Sequence, residues 1–179
     1  IGAAPKCDLS AARGQLSNSG TLDRPTVVAD TSYGQGELLA SPLQMALIAA
    51  AVGRGGVMPT PHYALEVRDA AGNTIRTIAP GASAQVVRPD TAARITTYLV
   101  GAVEGPGAFA FGAKIAGLHV AGKTGTAENP AGQPHGWFIG FAPAENPTVA
   151  VAVIIENAGA GGVDAAPLGG RVMQAALGR

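Results

Sequence analysis

The sequence predicts an α+β fold in which helices pack on a mostly antiparallel sheet. Three observations predict it. Three β-rich stretches follow one another over residues 118–156. The links between them, "ENPAGQPHG" and "APAENP", are short, and short connections favour antiparallel neighbours. Segments with helical apolar spacing lie before and after these stretches, which separates helices from strands along the chain. The chain has 179 residues, the size of one domain or a large part of one. Hydrophobic residues make up 47% but aromatics only 4%, so the core must be built from aliphatic side chains and Ala.

Residues 1–36 read as loop-rich, with scattered Ser, Gly and Asp. "TSYGQGE" (31–37) sets glycines on both sides of Gln35 and predicts an irregular loop. The clearest helix follows. Ser41 can cap it, Pro42 suits the first helical position, and Gln44 completes an S-x-x-Q capping box. Apolar residues from Leu43 to Val52 surround this helix, which predicts burial, and Gly53, Gly55 and Gly56 end it. Residues 64–68 and 74–78 alternate on either side of Ala71-Gly72-Asn73 and predict a hairpin. A second helix is predicted from Asp90, its cap, to Val103.

Strands are predicted over 118–127, 136–142 and 148–156, adjacent in that order. The last, "TVAVAVIIE", is apolar almost throughout, which predicts a central strand covered on both faces. A final helix is predicted from Pro167 to Leu177, after the flexible "AGAGGVDAA".

Composition narrows the function. Net charge is zero, the charged fraction is 13%, and no Lys/Arg run occurs, so the footprint of a nucleic-acid binder is missing. The single cysteine, Cys7, cannot form an internal disulfide and has no companions for a metal site. That suits an intracellular protein, and equally a secreted bacterial one that needs no disulfide. No stretch reaches the roughly 18 apolar residues of a membrane span. The chain starts at Ile1 without a signal-peptide pattern, and the expectation is that it begins partway through a longer protein.

One stretch carries two overlapping motifs. "GLHVAGKTGT" (117–126) satisfies G-x-x-x-x-G-K-[ST], the phosphate-loop pattern. That loop needs a helix opening on its lysine to hold phosphates. Here Asn129-Pro130 and Ala131-Gly132 follow, a turn signal, and "LHVA" reads as strand. The context fails the motif.

The same letters contain Lys123-Thr124-Gly125. On a strand, alternation sends Lys123 to one face and Thr124 and Thr126 to the other. Gly125 would let another backbone approach closely. An extended peptide could then add along a free edge. The Thr126 N–H would help stabilise an oxyanion, and the Thr124 and Thr126 hydroxyls would bind a substrate carboxylate beside the Lys123 charge. The tripeptide alone is equally an ordinary strand with a surface lysine.

The neighbouring blocks decide between these. "GKTGTAE" followed by "HGWFIGFAP", with "YGQGELLASPLQMALIAAAVGRGGVMPTPH" ahead of them, resembles class B penicillin-binding proteins, the serine D,D-transpeptidases of peptidoglycan. The wording is nearest to the penicillin-binding protein A type of actinobacteria. The resemblance runs from about Ser32 to the end. It implies a β-lactamase/transpeptidase-like fold whose first strands come from another segment, with residues 1–179 the C-terminal part of one domain. It implies catalytic roles for Lys123 and Thr126, and substrate binding by Thr124, Gly125 and Thr126. His135 and Trp137 are expected to line the same site, because their strand should pair with the K-T-G strand. Glu128 would pair with a cation or face solvent, and His119 is expected to be packed or hydrogen-bonded within its strand.

The implied ligands are peptidoglycan stem peptides and β-lactams. No metal or cofactor is implied. Other implied partners are the upstream part of the same protein and cell-wall synthesis or division proteins. The implied location is the outer face of the bacterial cytoplasmic membrane, anchored by an upstream segment. Two family motifs are absent. The serines are Ser10, Ser17, Ser19, Ser32, Ser41 and Ser83; none has Lys at +3 or Asn at +2. The expectation is that the S-x-x-K and S-x-N groups lie on a preceding segment and that this chain alone is inactive. The alternatives are a non-catalytic interaction module of the same fold and a nucleotide-binding protein.

Overall fold

A computed structural model describes residues 2–8 and 10–179. At its centre is a three-stranded antiparallel sheet, β5 (Ala121–Ala127), β6 (His135–Ala142) and β7 (Val149–Ile155), in that order. Before it come α1 (Pro25–Ser32), α2 (Pro42–Gly53), β1 (Val57–Met58), β2 (Glu66–Arg68), β3 (Thr74–Thr77), β4 (Ala84–Gln85) and α3 (Pro89–Glu104). A 310 turn at Phe111–Ala113 precedes β5, and α4 (Ala165–Ala176) closes the chain. This is the expected α+β layout with the expected strand order.

β6 supplies the middle of the core because its period-two pattern puts a large ring on each face. Phe138 faces α4 and Phe141 faces α2, and both are fully buried. The Phe138 ring lies in a slot lined by glycines. A Cβ on Gly122, Gly140 or Gly169 would come within 2.6, 2.8 or 2.3 Å of that ring. Val103, Val120 and Met173 are the other large side chains that are fully buried.

The α2 capping box forms as expected: Ser41 Oγ accepts from the Gln44 N–H at 3.2 Å, and the Ser41 N–H donates to Gln44 Oε1 at 2.9 Å. The hairpin also forms, β2 against β3, with both strands exposed along their length. Several elements differ from expectation or went unexpected. Residues 25–32 are helical rather than loop: Pro25 opens α1 with the φ a first turn needs. β1 pairs with β4, a two-residue ladder too short to give a periodic signal. α3 starts at Pro89 with Arg88 as N-cap, so Asp90 sits in the first turn instead of capping. α4 begins at Ala165; Pro167 lies inside its first turn, where a missing N–H costs little.

Another concerns β7. It is covered by α2 on one face and α4 on the other, as its apolar run predicted. Among the described residues it is an outer strand of three, with β6 in the middle. Apolar side chains on both faces report two covering layers, not a place in the strand order. His119 also lies outside β5, which starts two residues later. It is hydrogen-bonded, to Glu145, as one of the two expectations had it, and exposed rather than packed.

Candidate active site

The site grows from the outer edge of β5. Lys123 pairs with Ile139, Thr124 with Phe138, Gly125 with Trp137 and Thr126 with Gly136 across the β5–β6 ladder. Lys123 and Gly125 therefore share a face with Trp137 and Ile139, and Thr124 and Thr126 lie on the other. No helix follows Lys123; β5 continues to Ala127 and a turn succeeds it. The backbone that a phosphate loop requires is not there.

The backbone groups of β5 also alternate. The Thr126 C=O points away from β6, since it accepts from Gln35 Nε2 at 2.8 Å. Its N–H leaves the strand on the same side, as do the N–H and C=O of Thr124 two residues earlier. Lys123 curls around to this edge, where its Nζ donates to the Thr124 C=O at 2.5 Å. A positive charge, two hydroxyls and outward N–H groups thus meet along one stretch of strand.

Two backings hold that edge in place. On the α4 side, the glycine loop 159–162 lies against the sheet. A Cβ on Gly161 would approach the Trp137 C=O at 2.1 Å and the Gly125 C=O at 2.5 Å. Only glycine lets this loop lie so close. On the other side, α1 ends in two bonds typical of a left-handed helix stop. The Gly34 N–H donates to the Thr31 C=O at 3.2 Å, and the Gln35 N–H to the Asp30 C=O at 2.9 Å. Gly34 and Gly36 have φ of 86° and 71°, conformations that suit glycine. Gln35 is delivered between them onto the β5 edge. Its Oε1 accepts from the Glu128 N–H at 3.1 Å.

A cavity of about 260 Å³ lies between this loop and the sheet, lined by Leu38, Met45, Lys123, Gly125, Trp137 and Ile139 among others. That is below the roughly 300–1,000 Å³ of complete small-molecule sites.

Trp137 lines this cavity together with Lys123, Thr124, Gly125 and Thr126. His135 does not. It sits opposite Ala127, and its Nδ1 accepts from the Asn157 N–H at 3.1 Å. Glu128 meets the site through its backbone N–H. Gln35 and Gly161 were missed as site residues. The paired glycines around Gln35 and the Gly161-Gly162 step were the available signals. Among the described residues no group of three His, Cys, Asp or Glu side chains is placed to hold a metal ion.

The His119–Glu145 pair lies away from the cavity at the β5 edge. His119, whose ring Nδ1 meets Glu145, is raised above its ordinary value, first by that hydrogen bond and then by the Glu145 charge. The Glu145 carboxyl is correspondingly lowered by His119. Beside the site, the Tyr33 hydroxyl is raised because it donates to Asp30 at 3.0 Å.

Comparison with known proteins gives the setting for this geometry. The family model "Penicillin binding protein transpeptidase domain" matches residues 9–174. The peptidoglycan D,D-transpeptidase PbpA of Mycolicibacterium smegmatis is 35% identical over 173 residues, covering 90% of this chain and 34% of that protein. Stage V sporulation protein D of Bacillus subtilis is 36% identical over 165 residues, covering 86% of this chain and 25% of that protein. The imipenem acyl-enzyme of penicillin-binding protein A from M. tuberculosis superposes with a TM-score of 0.85 at 36% identity, over 94% of this chain and 37% of that one. The chain thus spans about a third of the length of such relatives.

Proposed function

The chain belongs to the penicillin-binding protein transpeptidase family, and from that premise we propose that it forms one wall of a serine D,D-transpeptidase site that cross-links peptidoglycan. The observation that carries the reading is the outer edge of β5. There Lys123, the outward N–H of Thr126 and the Thr124 and Thr126 hydroxyls lie together beside Trp137.

The chemistry runs in two steps. A serine Oγ attacks the carbonyl of the penultimate D-alanine of a donor stem peptide. The amide bond breaks and the terminal D-alanine leaves with the proton lost by the serine. An acceptor amine then attacks the resulting ester, forms the cross-link and releases the serine. The donor lies along β5 as an added strand. The Thr126 N–H stabilises the oxyanion formed in each step. The Thr124 and Thr126 hydroxyls hold the substrate carboxylate, with Lys123 supplying positive charge. Gly125 leaves room for the donor backbone. A β-lactam acylates the same serine because its ring amide stands in for the scissile bond.

The serine and its lysine lie outside residues 1–179, since no serine of this chain has Lys at +3. Residues 1–179 are the C-terminal part of the transpeptidase domain. The outer edge of β7 takes a strand from the part of the protein that carries the nucleophile. The protein works outside the cytoplasmic membrane and is anchored through that other part, beside cell-wall synthesis or division proteins. Among the described residues no helix is long and apolar enough to cross a membrane.

A fluorescent penicillin tests this reading. The whole protein takes the label covalently, and Lys123→Ala slows labelling by about 100-fold, the scale of removing one electrostatic contact to a transition state. An unlabelled whole protein would favour a non-catalytic module, and an unchanged rate in Lys123→Ala would remove Lys123 from the site.

A further inference from the structure

The side-chain amide of Gln35 is chemically a peptide group, and it binds the β5 edge as one. Its N–H donates to the Thr126 C=O at 2.8 Å and its C=O accepts from the Glu128 N–H at 3.1 Å. One residue of a parallel neighbouring strand would bond this same pair, the carbonyl of residue i and the N–H of i+2. Gln35 is thus a one-residue strand already seated on the edge that an acyl donor would use. Its seat is fixed. Gly34 and Gly36 hold it at the helix stop of α1, and a Cβ on Gly36 would come within 2.8 Å of the Asp30 Cβ.

We propose that Gln35 is a specificity-determining residue of the site: it occupies the Thr126 carbonyl until the amide N–H of an acyl donor replaces it. The inference rests on the reading of β5 as the donor-binding wall. The consequence is a filter. A donor with a suitably placed amide N–H breaks one hydrogen bond at Thr126 and makes another there, so the exchange is near balance. A ligand without that N–H leaves Gln35 in place and gains nothing from this carbonyl. Without Gln35, the Thr126 carbonyl loses its protein partner, and only amide-bearing ligands profit. The preference for them over amide-free ligands therefore rises.

The test compares penicillin G with penicillanic acid, the same bicyclic ring without the acylamino group. Acylation rate constants for both are measured by mass spectrometry on the whole protein and on its Gln35→Ala variant. The ratio of the two rate constants cancels general damage to the loop, which slows both compounds alike. It is expected to rise about fivefold in Gln35→Ala, the equivalent of one neutral hydrogen bond. If that variant does not fold, Gln35→Glu gives the same readout, because its carboxylate still accepts from the Glu128 N–H but cannot donate to Thr126. A ratio that stays level or falls, in a protein whose wild type is acylated normally, overturns this inference and leaves the proposed function standing. A wild type that reacts with neither compound overturns the proposed function, and this inference with it.

Discussion

The outer strands β5 and β7 both run for seven residues, and their side chains present opposite chemistry. β5 reads Ala-Gly-Lys-Thr-Gly-Thr-Ala, with one charge, two hydroxyls and two glycines. β7 reads Val-Ala-Val-Ala-Val-Ile-Ile, without a polar atom outside its backbone. Edge strands that must stay unpaired are commonly protected by charge, glycine or shortness. β5 carries such protection, and Gln35 plugs its last rung. β7 has none, and among the described residues no strand pairs with its outer side. The difference teaches what each edge is for. On the proposed reading, β5 is kept open for a ligand that comes and goes, and β7 takes a strand from another part of the protein.

The largest effect should come from the residue that supports both edges. Phe138→Ala empties the glycine-lined slot beneath β5, β6 and β7 and is expected to cost about 3–5 kcal/mol in denaturant unfolding of the whole protein. A loss well under that range would mean that the slot closes around the gap, and that the two edges are not rigidly tied.

A smaller effect should separate the edges. Gly161→Ala pushes a Cβ into the Trp137 and Gly125 carbonyls behind the site. Overpacking of this kind costs about 1–3 kcal/mol, and penicillin acylation should slow by more than the stability loss explains. Equal acylation in the variant would show that the backing loop does not position β5.

Hydrogen exchange compares the edges directly without a substitution. In the whole protein, outward amides of β7 should be protected before any ligand is added. Those of Thr124 and Thr126 should become protected only after β-lactam acylation. Similar exchange on both edges in the free protein would remove the distinction between them.

The smallest effect lies away from both edges. The His119 pKa is raised by Glu145, so this pair stabilises the fold fully below about pH 6.5, the ordinary His value, and the contribution fades as pH rises through the raised folded value. Both side chains are exposed, so the stability change is slight. Glu145→Gln should return the His119 titration, followed by NMR, toward its ordinary value and leave acylation unchanged. A slowed acylation would tie this corner to the site.

Much of the layout could be read from period and punctuation. The α2 capping box, the β2–β3 turn and the order of β5, β6 and β7 all follow from local signals. α1 was hidden because "PTVVADTS" is short and weakly patterned, although Pro at its start and Gly34 past its end marked both limits. The apolar run of β7 correctly marked two covered faces, while the described residues pair it on one side only. Within the site, Lys123, Thr124, Gly125 and Thr126 could be picked out by motif. Trp137 came from its expected pairing with the same strand. His135 lies on the strand as expected, but at its far end, where register carries it past the cavity. Gln35 contacts residues 91 and 93 positions away, and no local pattern encodes such a contact.

The central claim is that β5 is one wall of an acylation site whose nucleophile lies outside this chain. Mapping the labelled peptide after the whole protein reacts with a fluorescent penicillin tests it most directly. The account predicts a single acylated serine outside residues 1–179, with Lys at +3. Label on Ser10, Ser17, Ser19, Ser32, Ser41 or Ser83 would contradict it.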